Sequence, residues 1–64
     1  MKRRDLVAHL LAHRCVLIRE GGNHSWWGNL SNNTRAAVPR HGEVDNRTAK
    51  AICRDLGVPP PAKK

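Results

Sequence analysis

Trp26 and Trp27 are the only Phe, Trp or Tyr residues in the chain, and they are neighbours. Adjacent side chains of an extended strand point to opposite faces, so only one of the two indoles can enter a single core. Aliphatic side chains must do the remaining packing. A chain of 64 residues makes one domain, and a domain of that size buries only about 60% of the surface its unfolded state exposes. The core is therefore thin. Any substrate site is expected on a shallow face, with no large organic cofactor.

Charge narrows the choice of partner. Twelve Lys and Arg oppose five Asp and Glu, for a net charge of +7, and eight of the twelve are Arg. The planar guanidinium fork matches phosphate geometry better than an ammonium does. A net charge of about 2–8 also serves solubility alone. The prevalence of Arg along the whole chain favours nucleic acid over that plainer reading. The basic N-terminus leads into a short apolar stretch interrupted by His9 and His13, which is neither a secretory leader nor a membrane span. A cytoplasmic protein without membrane attachment is expected. Cys15 and Cys53 lie in apolar periodic segments and read as small buried hydrophobes.

The periodicity predicts a helix over residues 3–13, with Leu6, Val7, Leu10 and Leu11 as its apolar stripe. The run 14–19 (Arg-Cys-Val-Leu-Ile-Arg) is short and β-branched, so a strand is expected. Gly21 and Gly22 then break the pattern. A second strand is expected over about 24–30, a hairpin turn over 31–34 and a third strand over 35–39, ended by Pro39. Asp45 or Asn46 can cap a second helix whose stripe is Ala49, Ile52, Cys53 and Leu56. Gly57 is placed to end it, and Pro59–Pro61 bars continuation. Residues 1–58 form the expected domain, and 59–64 a flexible Pro/Lys tail.

The order α-β-β-β-α, with tight turns between strands, gives an α+β fold. It has a three-stranded antiparallel meander with both helices on one face, because a helix with one stripe can be buried only once. This is the architecture of a double-stranded-RNA-binding domain. One sheet face is left to solvent or to a partner.

Among candidate chemical groups, His24 follows Gly21-Gly22-Asn23 at the mouth of a strand. Such a position keeps a side chain exposed, and an imidazole can exchange protons near neutral pH. RNA carries its own nucleophile, the 2′-hydroxyl. A base, neighbouring cations and a proton donor are enough to cleave it without metal. The plain alternative is a surface histidine with no role, and spacing alone favours that alternative. His41, in Pro39-Arg40-His41-Gly42, is either a second proton-transfer group, a phosphate ligand or a turn-stabilising residue. Arg19, Arg40 and Lys50 are candidate RNA contacts. Gly21 and Gly22 are read as a flexible turn beside the site. The exposed member of the Trp26–Trp27 pair can stack a base or anchor a protein. His9 and His13 have the i, i+4 spacing of a metal pair, but nothing beside them completes a site. No metal ligand set is therefore assigned.

Beyond these readings, the chain resembles a known family. Arg19-Glu20-Gly21-Gly22-Asn23-His24 with its aromatic strand, Ala37-Val38-Pro39-Arg40-His41, the helix Thr48–Gly57 and the opening Lys2–Leu11 resemble, in that order, the segments of HicA toxins. The resemblance extends to Val58. It implies an mRNA interferase of a type II toxin–antitoxin system, with a double-stranded-RNA-binding-domain-like fold and His24 in the position of the active-site histidine. It also implies cleavage without a metal cofactor, and a HicB-type antitoxin that covers the active surface. The position after the first helix, often Gly in the family, is Arg14 here; if left-handed, that turn is strained or rebuilt. Asn23 stands where Ser often precedes the histidine. A non-catalytic RNA-binding module is the alternative, and a protein-docking partner anchored by a tryptophan is a third reading.

Overall fold

The computed structural model describes residues 1–61. The last three residues of the expected 59–64 tail lie outside the described residues. Helix α1 spans Arg3–Ala12, strands β1, β2 and β3 span Cys15–Glu20, His24–Asn29 and Thr34–Pro39, and helix α2 spans Asn46–Asp55. The strands pair antiparallel in the order β1-β2-β3. Both helices pack against one face, and the whole is a slab measuring 27 × 27 × 16 Å between Cα extremes. Among the described residues no helix is long and apolar enough to cross a membrane.

The core lies between the sheet and the helices. It is built from Leu6 and Leu10 of α1, Cys15, Trp27, Ala36 and Val38 of the strands, Val44, and Ala49, Ile52, Cys53 and Leu56 at α2. The stripe of α2 is buried as its spacing predicts. That of α1 is narrower than expected: Val7 is half-buried and Leu11 is 56% exposed. Helix α1 sits over β1 at the sheet margin, where Leu6 and Leu10 point inward and Leu11 overhangs into solvent. Both cysteines are buried free thiols. Burial pushes both thiols above their ordinary pKa, and for Cys53 the nearby Cys15 adds to the effect.

Local chemistry sets the ends of the elements. The Asp45 carboxylate accepts from the Arg47 amide at 3.1 Å and caps α2. At its other end Gly57 adopts φ +68°, and the Val58 amide donates to the Cys53 carbonyl at 2.9 Å, closing a Schellman-type stop. The Leu56 carbonyl accepts from the side-chain amides of Asn29 at 2.7 Å and Asn32 at 3.0 Å. A side chain on Gly57 would collide with Asn32. The β2–β3 turn therefore doubles as a cap for α2, and Asn33 supplies its left-handed residue at φ 60°. After α1 the left-handed position falls on Arg14, at φ 68°. A β-branchless but ordinary side chain is strained there relative to glycine.

The N-terminal residues bind the loop before α2. Lys2 bridges Glu43, the Val44 amide donates to the Met1 carbonyl at 2.8 Å, and the Arg3 amide donates to the Gly42 carbonyl at 2.9 Å. Beyond α2 the chain returns to α1, where His9 Nε2 donates to the Pro59 carbonyl at 2.7 Å.

Candidate functional site

Strand parity assigns the faces. Ser25 and Trp27 point into the helix-covered side and are 0% and 5% exposed. His24 and Trp26 therefore lie on the bare outer face, and both are exposed. Trp27 is the core indole and Trp26 the surface one. His24 opens β2 opposite Pro39, and its carbonyl accepts from the Gly21 amide at 2.8 Å. A Cβ on Gly21 would sit 2.9 Å from that carbonyl, whereas one on Gly22 would meet open space. Gly21 thus permits a close backbone approach that brings the hairpin mouth together beneath His24. Neither glycine has a positive φ.

Beneath His24 runs a chain of polar contacts. Arg3 donates through Nε to the Pro39 carbonyl at 2.8 Å and through Nη2 to Ser25 Oγ at 2.9 Å. Ser25 Oγ donates to Glu20 Oε1 at 2.7 Å. The same carboxylate oxygen lies 3.6 Å from Arg40 Nε, and Arg40 Nη1 donates to the Gly21 carbonyl at 3.2 Å. The Arg40 amide also donates to the Asn23 carbonyl at 3.2 Å. A fully buried serine hydroxyl needs its hydrogen-bond partners, and here Ser25 joins two otherwise surface-seeking charges. Through Glu20 and Gly21 the Arg40 guanidinium is kept beside the turn that carries His24.

Arg3, Glu20 and Ser25 were not among the candidates read from the sequence. The available signal was a lone Ser at a core-facing position of β2, flanked by outward-facing His24 and Trp26. A polar group there requires a partner, but its identity depends on contacts spanning 22 residues to Arg3.

The other candidates are more scattered. Arg19 faces outward, paired with Trp26 across β1 and β2. His41 is exposed in the loop that follows Arg40. Lys50 is exposed on α2, where it lines a groove of about 1030 Å³ between the helices with Asp5, His9 and Glu43. That groove lies on the helix side of the molecule, so Lys50 is not brought together with His24. His9 and His13 lie tilted against each other with ring centroids 4.4 Å apart, and both bond backbone carbonyls, His13 through Nδ1 to the His9 carbonyl at 2.9 Å. Among the described residues no group of three or more His, Cys, Asp or Glu side chains is assembled.

On the outer face, a β-bulge between Leu17 and Arg19 turns Ile18 over Gly28, where a Cβ would meet Ile18 Cδ1 at 2.5 Å. Ile18, Arg19, Trp26 and Arg35 line an open groove of about 310 Å³.

Comparison with known proteins gives one match. The family model described as the HicA toxin of bacterial toxin–antitoxin systems matches residues 3–58, from the first residue of α1 to the Schellman-bonded Val58. No curated protein and no solved structure matches the chain.

Proposed function

The chain belongs to the HicA toxin family, and from that premise we propose that it is an endoribonuclease. In this reading it cleaves mRNA by acid–base catalysis without metal, and a HicB-type antitoxin neutralises it by covering the outer face. The observation that carries the reading is the exposed His24 at the hairpin mouth, with the Arg40 guanidinium held at the same turn.

His24 takes the proton from a ribose 2′-hydroxyl. The 2′-oxygen forms a bond to phosphorus, the bond from phosphorus to the 5′-oxygen breaks, and a 2′,3′-cyclic phosphate remains. Arg40 offsets the charge that builds on the phosphorane oxygens. The departing 5′-oxygen takes a proton from a second donor, and His41, one residue beyond Arg40, is the candidate for it. Positive charge on the protein draws the polyanion in, which makes binding salt-dependent.

Expression of His24→Ala in a bacterial host tests the role of the imidazole. The variant is expected to leave growth unaffected while its fold and RNA affinity persist. Growth arrest equal to that of the unmodified chain removes His24 from catalysis. The alternative, a basic module that binds RNA without cutting it, rests on the same charge. It requires RNA to survive long incubation with the unmodified chain.

A further inference from the structure

We infer that the groove around Trp26 is a nucleobase subsite for single-stranded RNA. One base stacks on the Trp26 indole, Arg19 and Arg35 hold the flanking phosphates, and the next phosphodiester falls at His24. The inference deepens the nuclease reading and rests on it only for that last step.

The groove is chemically one-sided. Its lining is an indole, an aliphatic side chain and two guanidinium groups, with no carboxylate. Glu20, the acidic residue nearest in β1, pairs with Ser25 toward the helix side and is engaged by Ser25 and Arg40. Trp26 is 39% exposed. Its neighbours across the sheet are Arg19 on β1 and the small Ala37 on β3. Ala37 leaves the β3 side of the indole low, and Ile18 lies over Gly28, farther along β2. An aromatic platform between positive side chains is the arrangement that binds single strands, because every base has a π-face and every nucleotide a phosphate.

Spacing supports the link to His24. The two residues are i and i+2 on one strand and one face, so their Cα atoms lie about 6.6 Å apart. That is about one nucleotide step of an extended strand. A base on Trp26 thus places the adjoining phosphate at the imidazole, and the open groove, of about 310 Å³, has room for one ring system. Charge complementarity favours RNA over an apolar protein segment as occupant. Within the groove the exposed apolar side chains are Trp26 and Ile18, with half-buried Val16 and Ala37 on the same face; Leu11, Leu17 and Leu30 are also exposed but do not line it.

A short 2′-O-methyl oligoribonucleotide tests the subsite without cleavage, since it lacks the free nucleophile. Titration into the isotope-labelled chain is expected to shift the indole N–H signal of Trp26 and leave that of Trp27 in place. Trp26→Ala is expected to weaken binding about 10–100-fold, and Trp26→Phe, which keeps a π-face, by far less. Arg19→Gln and Arg35→Gln should each reduce the salt dependence of binding by about one phosphate contact. With cleavable RNA, Trp26→Ala should raise KM by a similar factor and change kcat little. An unmoved Trp26 signal, or equal affinity in Trp26→Ala, overturns the subsite. The same result accompanied by loss of binding to a protein partner assigns the groove to that partner instead. Cleavage of unmodified RNA is scored separately. A chain that binds at Trp26 but never cuts retains the subsite and loses the nuclease reading.

Discussion

The two faces of the β-sheet follow different rules, and the adjacent tryptophans show the difference most clearly. Trp27 is sunk among Leu, Ile and Cys side chains, 5% exposed, with its buried indole Nε1 lacking a partner among the described residues. Trp26, one residue away, lies in an open groove between two arginines. The inner face is closed by two helices and holds nearly every large apolar residue that is buried. The outer face carries the imidazole of His24, the indole of Trp26 and the guanidinium groups of Arg19 and Arg35, beside the apolar Val16, Ile18 and Ala37. A 64-residue chain has enough apolar material to cover one side of a sheet, and in the proposed reading the uncovered side is the place for function. The Ser25 network links the faces. It lies on the inner side yet holds the turn from which His24 projects outward.

The largest contrast is expected in stability. Trp27→Ala should destabilise the fold by about 3–5 kcal/mol through loss of buried area and a cavity, enough to unfold much of a small domain. Trp26→Ala should cost under about 1 kcal/mol. Denaturant unfolding of both variants measures this directly, and equal losses would break the division of faces.

Ser25→Ala sharpens the link between them. Deleting the buried hydroxyl leaves Arg3 Nη2 and Glu20 without their shared partner, a loss of about 1–3 kcal/mol. It should also lower kcat in RNA cleavage more than Trp26→Ala does, because Glu20 no longer fixes Arg40. A Ser25→Ala protein that is destabilised but turns over normally would confine the network to a structural role.

Smaller effects come from the margins. Arg14→Gly relieves a left-handed backbone position and should raise stability by up to about 1 kcal/mol, read as a higher unfolding midpoint with unchanged RNA affinity. The buried thiols give the weakest signal. Their pKa values are raised in the folded state, so the unfolded chain releases these protons first as pH rises. The stability they contribute is complete below the unfolded thiol value of about 8.5 and falls as pH climbs from there through the raised folded values. Thermal unfolding followed between pH 7 and pH 10 should show this decline, reduced in Cys53→Ala.

Much of the inner face was legible in the sequence, because packing obeys periodicity. The spacing of Ala49, Ile52, Cys53 and Leu56, the stop at Gly57 and the opposed tryptophans all follow from local rules. Leu11 and Val44 do not. Whether Leu11 is covered depends on where α1 sits over β1, and Val44 enters the core only because Met1 and Arg3 bind its loop. The outer face was legible as a list of residue types and less so as a site. His24 stood out by its glycine neighbours and by family resemblance, and Gly21 through the turn it makes. The register that pairs Glu20 with Ser25, and the bulge that carries Ile18 over Gly28, are tertiary facts that no short motif encodes. Lys50 shows the converse: its charge drew attention, yet α2 carries it to the opposite side of the molecule from Trp26.

Digestion of a defined single-stranded transcript in the presence of chelator tests the reading of the outer face most directly, with the unmodified chain compared with His24→Gln. The unmodified chain should yield fragments ending in 2′,3′-cyclic phosphate and beginning with 5′-hydroxyl, while His24→Gln binds the transcript and leaves it whole. Equal cleavage by the two proteins, or cleavage that stops when metal is withdrawn, would contradict it.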